Sequence, residues 1–497
     1  MGKEWLQISE NIYTTLNEIM KSHDLVQSVH IIQDKRIHFT YYNAIVDTYL
    51  LQHELLHRLQ TSETKITNLL VLQQMIPLEK ISMSSNVEEI SQRLLKGYIY
   101  IQLESNLNEG LLIDVADLKL GYRSNNEADN EYSVIGPKVG FVEDIDTNLN
   151  LLRKEIISDK LRFEEHIIGS LSQTRVMIVY LEGICNPQHV NTIRQRLLEL
   201  DFDVIFDSSI LDQIISDNAN SPFPLFMSSE RIDRTKFNLL SGQVVLLSNG
   251  SPYVISGPTT VFDFFISPED YYLPWVLGSF FRCIRYFGVV FSILASPIYV
   301  AVLTFHYSVI PQSLLAPIIE SRANVPFAPI FEVMLLELTV ELLREAGARL
   351  PTKVGQTLGI VGGIVLGEAA VQAALTSNIL IIIVSLSALS SFATPIFKMA
   401  NTIRFLRFPL MCLAAAWGGL GIVVGVVILL GHLLRLKSLG TPYIVPVFPF
   451  RFREFRDSFI RSSNNLTNNR ARYLRPLSHQ RYKANKMNDV SDDYNNE

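Results

Sequence analysis

Carboxylates in an apolar setting limit what this chain can fold into more than any other feature. Residues Pro326–Pro351, PFAPIFEVMLLELTVELLREAGARLP, lie inside an apolar block running from about Trp275 to Leu436, yet carry Glu332, Glu337, Glu341, Arg344 and Glu345. A charge at mid-bilayer costs roughly 2.5 to 3.5 kcal/mol on insertion scales, so such residues face a bundle interior, a partner or a water path. Pro326 and Pro329 can open a helix here, and Gly347 and Pro351 can close it. At about 100° per residue, Glu337, Glu341, Arg344 and Glu345 share roughly a third of the circumference, with Leu335, Leu338 and Leu342 turned away. Three arrangements accommodate that acidic stripe. It faces headgroups and water on an interfacial helix, it lines a wet pore or cavity between subunits, or it forms buried ion pairs.

Composition divides the 497 residues into a soluble, acidic stretch to about 273, a strongly apolar stretch over 275–436, and a polar, Asn/Arg-rich tail over 439–497. Length suggests about three domains. Cys185, Cys283 and Cys412 stand in unrelated contexts and imply no disulfide framework. The N-terminal residues lack the basic and apolar regions of a secretory signal, so the soluble part is expected on the cytoplasmic side. Met1-Gly2 is not followed by Ser or Thr at position 6, which is Leu, so no myristoylation is expected.

The soluble part reads as α/β and as a tandem of related subdomains, 1–138 and 139–273. Arg36–Asp47, RIHFTYYNAIVD, aligns without gaps with Arg175–Asn186, RVMIVYLEGICN, and a helix-like segment follows each. Farther on, a strand–turn–strand pattern opens at Gly97 and again at Gly242. Ser248-Asn249-Gly250 between β-branched runs predicts a hairpin with a type I′ turn, and the turn at Ser105–Gly110 is expected to be longer.

Two metal-like motifs are better read otherwise. His53-Glu54-Leu55-Leu56-His57 has zinc-protease spacing, but no third ligand follows and the duplicate has no such pair. Asp144, Asp146, Asn148 and Glu155 resemble calcium-loop positions, but Leu149 stands where the sharp turn needs glycine. These polar residues are expected to cap a helix instead. There is no glycine-rich phosphate loop, nucleophile elbow or cysteine cluster. No catalytic residue, metal, cofactor or nucleic-acid partner is expected, and the chain is not read as an enzyme.

The apolar block predicts an α-helical multi-pass domain over 274–438, with spans at Ile284–Thr304, Val354–Leu375, Ile379–Phe397 and Pro409–Leu433. Gly355, Gly359, Gly363 and Gly367 form a stripe on which another helix can approach closely. Basic residues do not settle orientation. With five spans the tail after Arg435 falls outside, and with four the loop holding Lys398, Arg404 and Arg407 does. The tail is expected to be partly disordered, its arginines able to lie against anionic lipid.

Several stretches resemble the A-subunit family of bacterial spore germinant receptors: GPKVGFVEDIDTNL (Gly136–Leu149), SPFPLFMSSERIDR (Ser221–Arg234), SPEDYY (Ser267–Tyr272), Val325–Pro351, VGQTLGIVGGIVLGEAAV (Val354–Val371) and LGTPY (Leu439–Tyr443). The resemblance implies a subunit of the spore inner membrane, its N-terminal domain on the core side, working with a transporter-like B subunit and a lipoprotein C subunit. It also implies a homo-oligomer in the lipid bilayer that converts a nutrient signal into ion release. The family's acidic-helix pattern falls on Glu332, Glu337, Glu341, Arg344 and Glu345. Glu368 stands where that pattern has glutamine, adding a carboxylate.

Overall fold

The computed structural model describes residues 22–62, 64–78, 80–116, 131, 135–350, 363, 365, 367–463 and 467–481. The chain forms two compact units. One comprises 1–219, 226–258 and 465–497, the other 220–225 and 259–464. The boundary near Pro258 thus precedes the 273 that composition suggests, because residues 259–273 and a short Pro-rich segment belong with the helices.

The first unit contains two five-stranded antiparallel sheets. Strands β1 (Leu25–Ile32), β2 (Lys35–Tyr42), β3 (Ile81–Ser84), β4 (Tyr98–Leu103) and β5 (Asn106–Asp114) lie in the order β1-β2-β4-β5-β3. Strands β6 (Leu161–Ile168), β7 (Thr174–Leu181), β8 (Met227–Ser229), β9 (Val244–Ser248) and β10 (Val254–Gly257) lie in the order β6-β7-β9-β10-β8. The two orders are the same once the second set is renumbered from one. Alternation drives each sheet: Ile37, Phe39, Ile99, Ile101, Leu111 and Ile113 are buried under the helices of the first, as Phe163, Met177, Val179, Val245 and Leu247 are in the second.

The turns differ from expectation. The type I′ signature falls on Gln33-Asp34, both with positive φ, between β1 and β2. Gly250 has φ +85° but Asn249 does not share the left-handed region, and the β9–β10 connection runs over 249–253. Asn249 is instead occupied outside its own hairpin, its side-chain oxygen accepting from the Ile145 amide at 3.3 Å. The first copy's turn is the tighter one, with Leu103 paired to Asn106.

The calcium-like run caps helix α1 (Ile145–Glu155): the Asp144 carboxylate accepts from the Thr147 amide at 2.9 Å. Asp146 pairs with Arg175, and Asn148 is buried on the Val142 backbone. His53 and His57 lie where a π-helical turn, Leu50–Leu56, runs into His57–Thr61. Glu54 pairs with Arg58 at 2.7 Å.

Arg153 ties the two sheets of this unit together. It projects from α1, donates to Asp24 at 2.8 and 2.9 Å and to Ser22 at 2.9 Å, and lies between the Tyr42 and Phe163 rings at 4.6 and 4.4 Å. Nearby, the Asn150 amide donates to the Ala44 carbonyl at 2.5 Å.

The second unit is helical: α2 (Trp275–Phe305), α3 (Gln312–Arg322), α4 (Pro329–Arg349), α5 (Asn378–Ser391), α6 (Phe397–Trp417) and α7 (Gly419–Arg435). Among the described residues, α2 alone is long and apolar enough to cross a membrane. The expected span Pro409–Leu433 is broken at Gly418, whose φ of +61° admits glycine readily and whose α-hydrogen faces Phe305 and His306. The His306 Nε2 accepts from the Gly419 amide at 3.1 Å and satisfies a free donor at the start of α7. Lys398, Arg404 and Arg407 are therefore helix residues of α6, not a loop. Half of Val354–Leu375, including Gly355 and Gly359, lies outside the described residues.

The tail is largely folded where described. Lys437–Ser438 pairs with Thr441–Pro442, and buried Tyr443 donates to the Pro224 carbonyl at 2.7 Å. In the first unit, Arg470 holds the carbonyls of Leu240, Ser478 and Gln480 at 2.6 to 3.0 Å. Residues 482–497 lie outside the described set.

Candidate functional site: the inward acidic face of helix α4

Around a small apolar core of Tyr299, Val300, Val333, Leu380, Val384 and Met411, the helical unit has part of its polarity inverted. On α2 the buried residues include Gly278, Arg282, Gly288, Ser292 and Ser296, while Phe280, Phe281, Ile284, Phe287 and Val290 are exposed. On α5, Ser387 and Ser391 are buried, and Ile382, Leu386 and Leu389 are exposed. Helix α4 follows the same rule: Glu332, Val333 and Glu337 face inward, while Phe331, Leu335, Leu338 and Leu342 face out. In water, burial of apolar area would favour the opposite arrangement. Small and polar residues inside with leucines outside suit helices surrounded by hydrocarbon.

Each inward carboxylate has partners. Glu337 and Arg407 of α6 are both 1 % exposed and meet at 2.8 Å. The second Glu337 oxygen accepts from Ser296 at 2.6 Å, and Arg407 also donates to Ser387 at 3.2 Å, whose hydroxyl donates to the Ser292 carbonyl. The pair thus joins α2, α4, α5 and α6. One turn along, partly buried Glu341 pairs with Arg344 and lies 3.9 Å from both Arg404 and Arg407. One turn back, Glu332 is fully buried and accepts from the Ser377 amide at 2.7 Å, at the first turn of α5, with Arg322 of α3 at 3.4 Å. A carboxylate there meets free backbone donors and the positive end of the helix dipole.

The surroundings differ from residue to residue. Glu332 and Glu337 are internal ion-pair members; neither faces headgroups nor an open path within this chain. Glu341 and Arg344 extend the network toward the rim. Glu345 is exposed and pairs along its own helix with Arg349 at 2.6 Å. Glu368 is exposed and accepts from Gln372 at 3.1 Å. A side chain added at Gly363 or Gly367 would meet nothing within 4 Å among the described residues, so no described helix packs on that part of the stripe.

Sequence reasoning missed the cations. Arg404 and Arg407 were assigned to a loop because charges between two apolar runs read as a connection. Arg404 and Arg407, three apart, share one helix face, as Glu337 and Glu341, four apart, share another, and that was the available signal.

The described residues hold no group of three or more His, Cys, Asp or Glu placed to bind a metal. What the site does is lock four helices by charge.

Residues 12–473 match the family model described as Bacillus/Clostridium GerA spore germination protein. Spore germination protein GerQA of Bacillus cereus is 43 % identical over 490 residues, covering 97 % of this chain and 96 % of that one. Spore germination protein GerIA of Bacillus cereus is 43 % identical over 468 residues, covering 94 % of this chain and 69 % of that one. The crystal structure of the N-terminal domain of the A subunit of the Bacillus megaterium spore germinant receptor GerK3 aligns with 50 % of this chain and 94 % of that one, at 26 % identity and a TM-score of 0.39. Family match and identity agree along nearly the full length: the chain belongs to the GerA family of spore germination proteins.

Proposed function

We propose that this chain is a multi-pass membrane subunit of a nutrient germinant receptor and acts as an oligomeric, nutrient-gated cation-channel subunit in the spore inner membrane. Its partners are a transporter-like B subunit, a lipoprotein C subunit and further copies of itself. The inverted polarity of the helical unit is the observation that carries the membrane placement. Glu337 is matched by Arg407 inside one chain, which leaves Glu345 and Glu368, of the acidic residues singled out in the sequence, able to face a conduction path between copies. The open stripe at Gly363 and Gly367, continued in sequence by Gly355 and Gly359, is the surface on which a neighbouring copy would pack. Adjacent carboxylates facing water would set a negative local potential that attracts cations.

A second reading, a non-conducting scaffold that passes a signal mechanically, is favoured by the same lock, because four helices joined by buried charge move as one body. Nutrient-triggered cation release and protein level, measured together in Glu345→Gln and Glu368→Gln spores, separate the two. The channel reading expects normal level with altered release. Normal level and normal release in both, with no current from purified protein in bilayers, leaves the scaffold.

A further inference from the structure

The segment after Tyr443 ends in an exposed aromatic loop that the receptor reading does not use. Tyr443 and Val445 are buried, and the chain then turns outward. The Val447 amide donates to the Ile444 carbonyl at 2.9 Å and the Arg451 amide to the Pro446 carbonyl at 3.0 Å, which closes the turn. Beyond it Phe448, Phe450 and Phe452 are 59, 70 and 70 % exposed, and Val447 is exposed beside them. So dense an exposed apolar patch marks an interaction surface.

The loop is fastened to the start of α2. Phe450 packs on Phe455 at 5.3 Å, and Phe455 stacks on Phe459 at 5.5 Å. Phe459 meets Tyr286 at 5.3 Å and Phe262 at 4.8 Å. The Tyr286 hydroxyl donates to the Ser458 carbonyl at 2.7 Å. Arg282, fully buried, holds Asp270 at 3.0 Å and donates to the Asp457 carbonyl, while Arg461 donates to the Tyr271 carbonyl at 3.2 Å. Exposed Trp275 and Phe280 lie on the same end of α2. The rings therefore sit on a rigid mount at one end of the helix best suited to cross a membrane. Arg451 lies among them, paired with Glu454 at 3.5 Å, and Arg453 and Arg456 follow in sequence.

We propose that residues 446–452 insert their aromatic side chains into the headgroup boundary of an anionic lipid bilayer. Aromatic rings with arginines at the end of a span match the chemistry of that layer, apolar below and negatively charged above. The proposal rests on the reading of α2 as a membrane span, and Cys283, exposed on α2, provides its control. Cys185 is buried, so two labelling sites can be isolated in the full chain. Cys412→Ser leaves Cys283 to report α2, and Cys283→Ser, Cys412→Ser, Phe450→Cys reports the loop.

Each protein is labelled with an environment-sensitive fluorophore and reconstituted in phosphatidylcholine–phosphatidylglycerol vesicles. Quenching by brominated phospholipids and by aqueous iodide is then measured. The expected result is lipid quenching at both sites. At the loop, bromines near the headgroup should quench more than bromines at mid-chain, with emission shifted to the blue. A loop label quenched by iodide and not by lipid overturns the proposal, as does one shielded from both, which would place a protein surface over the rings. Absence of lipid quenching at Cys283 overturns the span reading itself, and the loop proposal with it.

Discussion

Removing one member of the Glu337–Arg407 pair should cost far more than removing both. At 2.8 Å and an effective dielectric of about 20, the attraction amounts to about 6 kcal/mol, much of which offsets the desolvation of two nearly inaccessible charges. Deleting one partner strands the other, at a cost of about 3 to 5 kcal/mol. Glu337→Gln should fall near the lower end, because Arg407 keeps Ser387 at 3.2 Å and Glu341 at 3.9 Å. Arg407→Gln should fall near the upper end, because the Glu337 carboxylate keeps only the Ser296 hydroxyl of the partners described above. The double variant should recover most of the loss, giving a coupling energy of at least about 2 kcal/mol, well above the roughly 0.5 kcal/mol seen for independent sites. The measurement is a double-mutant cycle on the full-length protein in detergent, by thermal unfolding, with membrane protein level in spores alongside. Additive losses would refute the reasoning, since two side chains that do not depend on each other cannot be a buried pair.

Three further outcomes follow from other parts of the fold. Arg153→Leu should destabilise the two-sheet unit by about 3 kcal/mol or more by stranding buried Asp24, whereas Lys236→Ala, removing an exposed pair with Glu155, should change stability by less than about 1 kcal/mol; chemical denaturation compares them. Burial, with Arg475 nearby, holds His189 down at about 4, whereas the unfolded chain takes up its proton near 6.5; stability contributed by the neutral ring is complete above that and declines by up to about 3 kcal/mol as pH falls through the interval, and His189→Gln should flatten the pH dependence of the unfolding midpoint. Gly421→Ala would drive a methyl group into the Leu413 carbonyl oxygen where α6 and α7 meet, so the variant should lower the melting temperature, while Gly431→Ala, with open space around it, should not.

Local chemistry was legible in the sequence at the matched strands, the helix cap at Asp144 and the acidic helix, and misleading at the Asn249-Gly250 turn. The matched runs Arg36–Asp47 and Arg175–Asn186 contain β2 and β7, which hold the same place in the two strand orders. Pro329 opens the helix observed at Pro329–Arg349, which runs on through Gly347 and ends just before Pro351, and Leu335, Leu338 and Leu342 turn away from Glu332 and Glu337 as their period requires. Long-range partners were not legible. Arg407 stands 70 residues from Glu337, and nothing local distinguishes a buried arginine from a topological signal. The break at Gly418 was invisible because Trp417-Gly418-Gly419 is apolar throughout, and hydropathy does not register a change in φ. The folded part of the tail was not legible because its hold is made by backbone carbonyls, such as that of Leu240 under Arg470, which leave no trace in composition.

That break also fixes lengths. At 1.5 Å per residue, α5 with 14 residues is about 21 Å long and α7 with 17 residues about 25 Å, against roughly 30 Å of hydrocarbon. Set upright in a bilayer, both fall short, and the shortfall must be met by thinner lipid around the protein or by polar flanks drawn inward. Either response costs fractions of a kcal/mol for each ångström of mismatch. Were α5 and α7 both to span, the acyl-chain length of the membrane would change the cost of seating them, with no ligand involved.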